Sequence, residues 1–217
     1  MGRGLMFVPG HFAADDAAAL ELIREHPLAT LVVPRADGPV ADPVPLLAED
    51  HGEGLLLQGH VARANPVWRE GDTGGALAVF TGPRAYVSPG WYPSKREHGM
   101  VVPTWNYAVV HVHGRIRFID DASWVRHHLE RLTDRMEASM PEPWRVGDAP
   151  AGFTGRLAGA VVGLELRVDR LEAKFKLGQN RPPEDRDGAI EGLESLGGEA
   201  AATARAMRRF SPPAASP

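Results

Sequence analysis

The stretch VPTWNYAVVHVHG, residues 102–114, decides the fold of this chain. From Trp105 onward it is rich in β-branched and aromatic residues, which predicts one long strand that continues through Gly114 to Ile119. Because successive side chains of a strand point to opposite faces, positions 105, 107, 109, 111 and 113 share one face. Five of the eight Trp and Tyr residues of the chain lie between Tyr86 and Tyr107. We therefore predict that this segment forms a ligand-binding or dimer surface.

Short β-rich segments separated by turns lie on both sides of the long strand. Clusters of Gly, Pro and Asp at residues 36–39 and 50–54 predict hairpin turns, so the first half of the chain is predicted to be an antiparallel meander. Six or seven closely spaced strands with few peripheral helices favour a mainly β fold, a barrel or a sandwich, over a doubly wound sheet. The other predicted strands cover residues 28–33, 40–47, 55–59, 75–81 with a continuation at 85–87, and 161–168.

Helices are predicted where a capping residue precedes an apolar stripe. Asp15 caps a helix that ends before Pro27, and Asp121 caps a second helix over residues 123–138. Short helices are also predicted at residues 153–157 and, one or two, within residues 187–209. The apolar face predicted for the second helix consists of Trp124, Val125, Leu129, Leu132 and Met136.

Residues 1–210 are predicted to form a single domain with a helical C-terminal part. The segment 88–100 combines Gly, Pro and charged residues, which is typical of a polar, mobile loop. The last residues, 211–217, are rich in Pro, Ala and Ser and are predicted to be a disordered tail.

The composition excludes several classes of protein. The chain has 43% apolar and 24% charged residues, which is ordinary globular usage, and a net charge of −4, which provides no overall basic field for nucleic acid. It has no cysteine, so disulfides, thiol catalysis, Fe–S clusters and cysteine zinc sites are excluded. No apolar stretch reaches the length that spans a bilayer and no leader is visible, so we predict a cytoplasmic protein without membrane contact.

Phosphate binding must use something other than the common glycine-rich loops, because neither GxGxxG nor GxxxxGK[ST] occurs. The segment GHVARANPVW, residues 59–68, offers a different means. A strand ends at His60, Arg63 provides a cation, and Asn65 caps a short helix that starts at Pro66 and runs to residue 70. The free N–H groups of that helix start would suit an anion. A capped helix with a surface arginine is the alternative interpretation.

Two pairs of histidines are candidates for chemistry. His111 and His113 share a strand face, which is a geometry by which two imidazoles ligate zinc or iron. No third ligand is identifiable, so we favour a structural or ligand-stacking role and predict no metal site. His127 and His128 are helix neighbours, which do not share a face, and we predict that one points inward and one outward. Hydrolase chemistry has no signal, because GxSxG is absent.

The segment KFKLGQNR, residues 174–181, is rich in cations and amides. Lys174 and Lys176 alternate along an extended stretch and so point one way, and Gln179, Asn180 and Arg181 follow. A solvated edge strand protected by lysines is one interpretation. A site for a phosphate or for the acidic rim of a partner is the other.

Four motifs resemble the PaiB-type FMN-binding negative transcriptional regulators. They are GHxAxxNPxW at residues 59–68, GPxAYxSPxWY at 82–92, VPTWNYxxVHxxG at 102–114 and KLxQNR at 176–181. They occur in the expected order, and the resemblance extends from Met6 to about Arg209. It departs at Gly178, where the family pattern implies a serine.

The resemblance implies a split β-barrel of the kind shared with pyridoxamine-phosphate oxidases and flavin reductases. It also implies a homodimer with an FMN pocket at each side of the interface. By similarity, His60, Arg63 and Asn65 would hold the phosphate. The residues that would border the isoalloxazine ring or the dimer seam are Thr104, Trp105, Asn106 and Tyr107. The late motif contributes Lys176, Gln179, Asn180 and Arg181 without an assigned role.

Three functions remain as hypotheses. The first is a flavin-dependent regulatory protein, which we favour. DNA and a regulatory protein are both open as its partner, and we favour a protein, because no helix-turn-helix is visible and the late basic residues are limited to positions 205, 208 and 209. The second is a flavin-dependent oxidoreductase acting on a small molecule, with His60, Tyr107 or His111 as proton donor. The third is an interaction dimer with an empty pocket. A haem- or deazaflavin-binding relative is a further alternative, because members of this fold can carry those cofactors.

Overall fold

The computed structural model describes residues 6–50, 52, 54–69, 74–150 and 152–210. The tail predicted at residues 211–217, parts of the turn predicted at 50–54, and the end of the helix predicted to reach residue 70 lie outside the described residues. The chain divides into two compact units. The first unit comprises the described residues up to Glu25, Thr81–Val110, and those from Glu172 onward; the second comprises His26–Phe80 and His111–Leu171. The single domain predicted for residues 1–210 stays a prediction.

Seven strands dominate the fold, and this mainly β architecture confirms the predicted fold class. The strands are β1 Leu28–Val33, β2 Val40–Pro45, β3 Leu47–Asp50, β4 Leu55–Ala62, β5 Gly74–Val87, β6 Thr104–Ile119 and β7 Val161–Lys176. Their order in the sheet is β2-β1-β5-β6-β7-β4-β3. β1 pairs antiparallel with β2 and β5, and β4 pairs antiparallel with β3 and β7.

The long strand predicted from the central stretch is confirmed as β6. Its even-numbered residues from Asn106 to Ile116 are buried, whereas the odd-numbered residues over the same stretch are partly or fully exposed. This alternation is the burial pattern of a strand with one packed face and one open face. The open face carries the aromatic and histidine residues that the sequence pattern had grouped together.

The predicted meander is wrong at one corner. β2 and β3 are separated only by Leu46, yet they lie at opposite ends of the strand order. Leu46 is buried, and its amide donates to the Pro27 carbonyl oxygen at 2.8 Å, which turns the chain away from β2. β4 passes against this corner, because a Cβ on Gly59 would lie 2.9 Å from the Pro45 carbonyl oxygen. Within the second unit, strands from the two ends of the order therefore approach each other, as barrel closure requires.

Two strands are longer than predicted. β5 runs without interruption through the Gly82-Pro83 bend, and β7 includes the lysine-rich segment that the sequence left separate. β7 as a whole lies between β6 and β4, but its lysines lie outside the pairing with β4, so the interpretation of that segment as a solvated edge strand stays a prediction. β4 pairs with β7 only over Val161 to Arg167, so the last part of β7 extends beyond this pairing.

The segment predicted as a polar, mobile loop contains regular structure. A 3₁₀ turn spans Pro89–Trp91 and the short helix α2 spans Ser94–Glu97. Ser94 is buried, and its amide and hydroxyl donate to the two carboxylate oxygens of Asp185 at 3.1 and 2.6 Å. The contact that orders the segment comes from a residue about ninety positions later, which local sequence signals do not reveal.

Two of the remaining helices begin at the predicted caps. The remaining helices are α1 Asp16–Glu25, α3 Ala122–Glu137, α4 Phe153–Ala158, α5 Pro183–Leu196 and α6 Gly198–Arg209. Asp15 accepts from the Ala18 amide at 2.8 Å and Asp121 from the Trp124 amide at 2.7 Å, which confirms both caps. The predicted apolar face of α3 is only partly correct, because Val125 is buried and Met136 is exposed. None of the helices in the described part of the chain is long and apolar enough to cross a membrane.

Candidate functional site

The eleven residues predicted to form the site divide between the two units. The first unit contains those of the central and late motifs, Thr104, Trp105, Asn106, Tyr107, Lys176, Gln179, Asn180 and Arg181, and the second unit contains His60, Arg63 and Asn65.

Lys176 lies at the end of β7 with its ammonium group held by β6. Its Nζ donates to Thr104 Oγ1 and to the Trp105 carbonyl oxygen, each at 2.5 Å. Burial lowers the pKa of Lys176, and the positive charges of Arg181 and Lys174 lower it further. Two of its three N–H donors are thus used by neutral oxygens, and the charge has no carboxylate partner within the described chain.

Two further cations in the first unit lie against aromatic rings. The Lys174 Nζ is 5.7 Å from the centre of the Tyr107 ring and 5.8 Å from that of Phe7. The Arg181 guanidinium carbon is 5.2 Å from the centre of the Tyr92 ring. Cations at these distances are attracted by the ring faces, which holds them in place without neutralising their charge.

Three predicted residues of the first unit differ in what they can offer a ligand. Asn106 is buried and its Nδ2 donates to Met207 Sδ at 3.3 Å. Gln179 accepts from the Leu177 amide at 2.8 Å and donates to the Phe175 carbonyl oxygen at 2.7 Å, which shapes the turn after β7. Both amides therefore serve the packing of the unit. Asn180 is exposed.

Gly178, where the family pattern implies a serine, has a backbone that suits glycine. Its φ is +86°, in the left-handed region that a residue with a Cβ rarely adopts. A Cβ there would make only ordinary van der Waals contact, 3.6 Å from Asn106 Nδ2, so the backbone conformation is the reason for glycine. The departure from the family pattern thus agrees with the local conformation of this chain.

Trp105 and Tyr86 form an exposed aromatic pair on the first unit. The two ring centres are 6.1 Å apart in an edge-to-face arrangement. Trp105 is 56% exposed and Tyr86 47% exposed, although both carry large apolar surfaces. Exposed aromatic pairs of this kind are typical of surfaces that bind a flat ligand or another protein.

In the second unit, Arg63 is engaged by the protein itself. It forms a two-point pair with the Asp120 carboxylate at 2.9 and 2.6 Å, and its Nε donates to the Gly159 carbonyl oxygen at 2.7 Å. The hydrogen bond to Asp120 raises the pKa of Arg63, and the same bond lowers the pKa of Asp120. The cation predicted to be available for a phosphate is therefore paired with a carboxylate.

Asn65 has the capping role that the sequence predicted. Its side chain accepts from the Val67 amide at 2.9 Å, and Pro66 occupies the first position of the following turn. The turn is a short 3₁₀ helix, Pro66–Trp68, and Trp68 Nε1 donates to the Arg63 carbonyl oxygen at 2.9 Å. The capping part of the anion-site hypothesis is confirmed, while its ligand stays a prediction.

His60 belongs to a buried group of side chains that sequence reasoning missed. Its Nδ1 lies 3.2 Å from Nε2 of His128, and the His128 ring stacks on Trp124 with ring centres 5.2 Å apart. His128 is buried and His127 exposed, which confirms the predicted inward and outward pair. Burial lowers the pKa of His60. The sequence predicted only that one of His127 and His128 points inward. It did not reveal the contact with His60, because β4 and α3 are distant along the chain.

A polar network continues from this histidine pair. Gln58 donates to Glu165 at 2.9 Å and accepts from Arg131 at 2.7 Å. Glu165 also accepts from Arg117 at 2.6 Å and from Trp124 Nε1 at 3.3 Å. The polar groups of these residues form hydrogen bonds with one another, which indicates that the network has a structural role.

His111 and His113 lie on the open face of β6, as predicted. Their ring centres are 6.4 Å apart and both residues are half-buried. The structural or ligand-stacking role assigned to them from sequence stays a prediction.

The chain is similar to known proteins over most of its length. Residues 6–170 match the family model described as "Putative FMN-binding domain". The protease synthase and sporulation protein PAI 2 of Bacillus subtilis is 30% identical over 194 residues, which cover 88% of this chain and 90% of that protein. An uncharacterized protein of Emericella nidulans is 32% identical over 232 residues, with the same coverage of the two chains.

Solved structures support the fold. The FAD and heme binding protein from Mycobacterium smegmatis has a TM-score of 0.57 at 22% identity, covering 82% of this chain and 78% of that one. The flavocytochrome Anf3 from Azotobacter vinelandii has a TM-score of 0.55 at 15% identity, covering 74% and 67%. At these identities the likeness establishes the fold alone, and it confirms the predicted split barrel of the flavin-binding type. The chain therefore belongs to the PaiB-type family of FMN-binding proteins, and FMN is the cofactor that this membership assigns to it.

Proposed function

We propose that this protein is a flavin-dependent regulatory protein of the PaiB type, which binds FMN as a homodimer and acts through a protein partner. The observation that carries the proposal is the exposed Trp105–Tyr86 pair beside the partly buried Lys176, whose Nζ contacts the Trp105 backbone. The regulatory part of the proposal comes from the resemblance of the four sequence motifs to the PaiB-type regulators.

The residues of the first unit fit the chemistry of FMN. The cofactor combines a flat aromatic ring with a phosphate, so it needs an aromatic surface and unpaired cations. Trp105 and Tyr86 would hold the ring, and Thr104 and Tyr107 would border it. When bound, FMN supplies one- or two-electron redox chemistry. The contribution of the protein is to orient that ring and to limit its contact with water.

A protein partner is favoured over DNA because two of the three late basic residues are neutralised. Arg208 forms a two-point pair with Glu194 at 3.0 and 3.1 Å. Arg209 pairs with Glu21 and lies 3.8 Å from Glu25. Paired arginines offer little charge to a phosphate backbone, whose recognition depends on free cations. A cytoplasmic location stays a prediction.

The proposal is tested by flavin retention. The purified protein is mixed with FMN and passed through a desalting column, and its visible spectrum is recorded with Trp105→Ala and Trp144→Ala in parallel. Trp144 is a suitable control because it is also an exposed tryptophan, at 46%, but lies in the second unit. We expect Trp105→Ala to weaken FMN binding about tenfold or more, from the loss of ring stacking, and Trp144→Ala to bind like the wild type. A colourless wild-type protein, or equal binding by both variants, would contradict the proposal.

A flavin-dependent oxidoreductase is the second candidate function. It is favoured by the half-buried position of His60, one of the candidate proton-transfer residues; burial lowers its pKa and so favours the neutral imidazole. Steady oxidation of NADH or NADPH by the FMN-loaded protein in the presence of an electron acceptor would support the enzyme. Reduction that stops after one equivalent would support the regulatory role.

A further inference from the structure

Three cations at the end of β7 lack a counter-charge. Lys174, Lys176 and Arg181, which we call the β7 cation cluster, make no ion pair with any residue in the described part of the chain. Asp185, a carboxylate four residues beyond Arg181, is committed to Ser94 through both of its oxygens. Like charges held together without a carboxylate destabilise the folded state. The cluster is therefore expected to be completed by an anion.

The cations are held in position by two strands and a turn. Lys174 and Lys176 lie on the same side of β7, and each reaches a residue of β6: Lys174 the ring of Tyr107, Lys176 the hydroxyl of Thr104. The Arg181 amide donates to the Gly178 carbonyl oxygen at 3.0 Å, which turns the chain directly after β7. Donors fixed before a ligand arrives lose little conformational freedom on binding.

A second observation at the same turn indicates a polar ligand. The Nε of Arg186 is buried and has no hydrogen-bond partner among the described residues. The Arg186 side chain lies at the turn, with its Cγ 3.7 Å from the position that a Cβ on Gly178 would take. A buried N–H without an acceptor is costly to the folded protein, so its presence beside three unpaired cations is consistent with an acceptor supplied by a ligand.

We propose that the β7 cation cluster binds the phosphate group of FMN, and that Arg63 is a structural residue. This inference rests on the proposed function, because it names the part of the chain that recognises one end of the cofactor. It departs from the phosphate position that the family resemblance implies. A phosphate is a dianion near pH 7, and a lysine with one remaining N–H donor beside an arginine is well suited to bind it.

Arg63 is unsuited to the same task because its charge is already used. Its guanidinium donates to both oxygens of Asp120 and to the Gly159 and Val161 carbonyl oxygens. A phosphate at this position would have to compete with Asp120 and would meet its negative charge. The contacts of Arg63 connect the end of β4 to the start of β7. They also connect it to Asp120, which precedes the Asp121 cap of α3. This arrangement gives Arg63 a structural role.

The test compares FMN with riboflavin, which has the same ring system and no phosphate. Kd values for both are measured by flavin fluorescence on flavin-free protein, for the wild type, Lys174→Gln, Lys176→Gln, Arg181→Gln and Arg63→Gln. Lys95→Gln, an exposed lysine of α2 in the same unit, is the matched control. We expect each cluster variant to weaken FMN binding about tenfold or more, as the loss of a charge-assisted hydrogen bond predicts, and to reduce the preference for FMN over riboflavin. Any effect that acts through the ring contacts near Trp105 and Tyr107 applies to both flavins and cancels in this ratio. The Lys174 and Arg181 variants keep the test valid if Lys176→Gln disturbs β6.

The outcomes separate this inference from the proposed function. Wild-type protein that binds FMN and riboflavin equally, or loses its preference for FMN only in Arg63→Gln, would overturn the phosphate assignment while leaving flavin binding intact. Wild-type protein that binds neither flavin would remove the proposed function. The anion site is then tested with inorganic phosphate in a ¹H–¹⁵N NMR titration. Shifts of the Lys176 and Arg181 amides that are lost in Lys174→Gln would support it, and no shifts would overturn it.

Discussion

Burial has a strong effect on the charge of His128. Burial, followed by the charges of His60, Arg131 and His127, lowers the pKa of His128 from 6.5 to about 4. Glu165, on the neighbouring strand β7, is engaged by Arg117, Gln58 and Trp124, and Arg131 pairs with Glu49 of β3. No described carboxylate contacts the ring, so a proton on His128 would be an uncompensated charge in the interior.

The free energy of unfolding is therefore expected to depend on pH below neutrality. The unfolded chain takes up the proton near pH 6.5, whereas the folded chain takes it up only near pH 4. The stabilisation is complete above pH 6.5 and is lost as the pH falls towards 4. Its full size is roughly 3 kcal/mol, from 1.36 kcal/mol for each pKa unit. Denaturant unfolding at a series of pH values measures it.

His128→Gln is expected to flatten this pH dependence while keeping a polar group near His60. His127→Gln is the control, because His127 is the exposed neighbour on the same helix. If the two variants show the same slope between pH 6.5 and 4, His128 is not the group responsible.

Single residues differ in how well the sequence predicts them. The caps Asp15, Asn65 and Asp121 were predictable because each bonds to an amide two or three positions away. The pairing of Arg63 with Asp120 was not, because the two residues are 57 positions apart in the chain. The sequence identified Arg63 as a notable cation, and only the structure reveals that its charge is taken.

At the level of helices and strands, the packing of α5 depends on two glycines. Trp91, in the turn before α2, lies against Gly188 and Gly192, which are four residues apart and so share one face of α5. A Cβ on Gly192 would overlap the Trp91 indole. The helix therefore has glycine where the indole ring requires space. Together with the Ser94–Asp185 hydrogen bonds, this contact orders the segment 88–100, which the sequence predicts to be a loop.

Gly192→Ala is expected to destabilise the protein, although alanine is normally the better helix former. Alanine in a helix gains about 1 kcal/mol over glycine, but overlap with a packed side chain costs about 1–3 kcal/mol. Thermal unfolding of the variant should therefore show a lower Tm than the wild type. Gly155→Ala is the matched control, because Gly155 is also helical and a Cβ there would meet nothing within 4 Å. An increase in Tm for both variants would contradict this account of the Trp91 contact.

Among the strands, β6 was predictable because its alternation is local, whereas the position of β4 was not. β4 pairs with β7, about a hundred residues away in the chain. The sequence indicated only that strands close together in the chain would pair with each other. The meander prediction failed at the step where strand order depends on distant pairing.

For the whole chain, the predicted mainly β fold of the flavin-binding split-barrel type is correct, as the seven strands and the likeness to solved structures show. The match to the family model covers residues 6–170. The site is less well predicted. Its residues came from three of the four motifs, and several of them, including Asn106, Gln179 and Arg63, make contacts within the protein instead of offering free groups. A motif records that a residue is required, and it does not distinguish a ligand contact from a structural one.

We also expect the protein to be a homodimer, because a monomer would expose a segment of apolar side chains to water. In the first unit, Met100 is 79%, Val102 64% and Trp105 56% exposed, within six residues of the chain. Monomeric proteins rarely expose such segments. We expect a dimer in sedimentation velocity and a shift toward monomer for Val102→Asp, because a charge in an apolar interface is costly. Leu196→Asp, at a similarly exposed leucine of 65%, should remain dimeric. A monomeric wild-type protein would remove the dimer from the proposed function, and a dimeric Val102→Asp variant would place the interface on another surface.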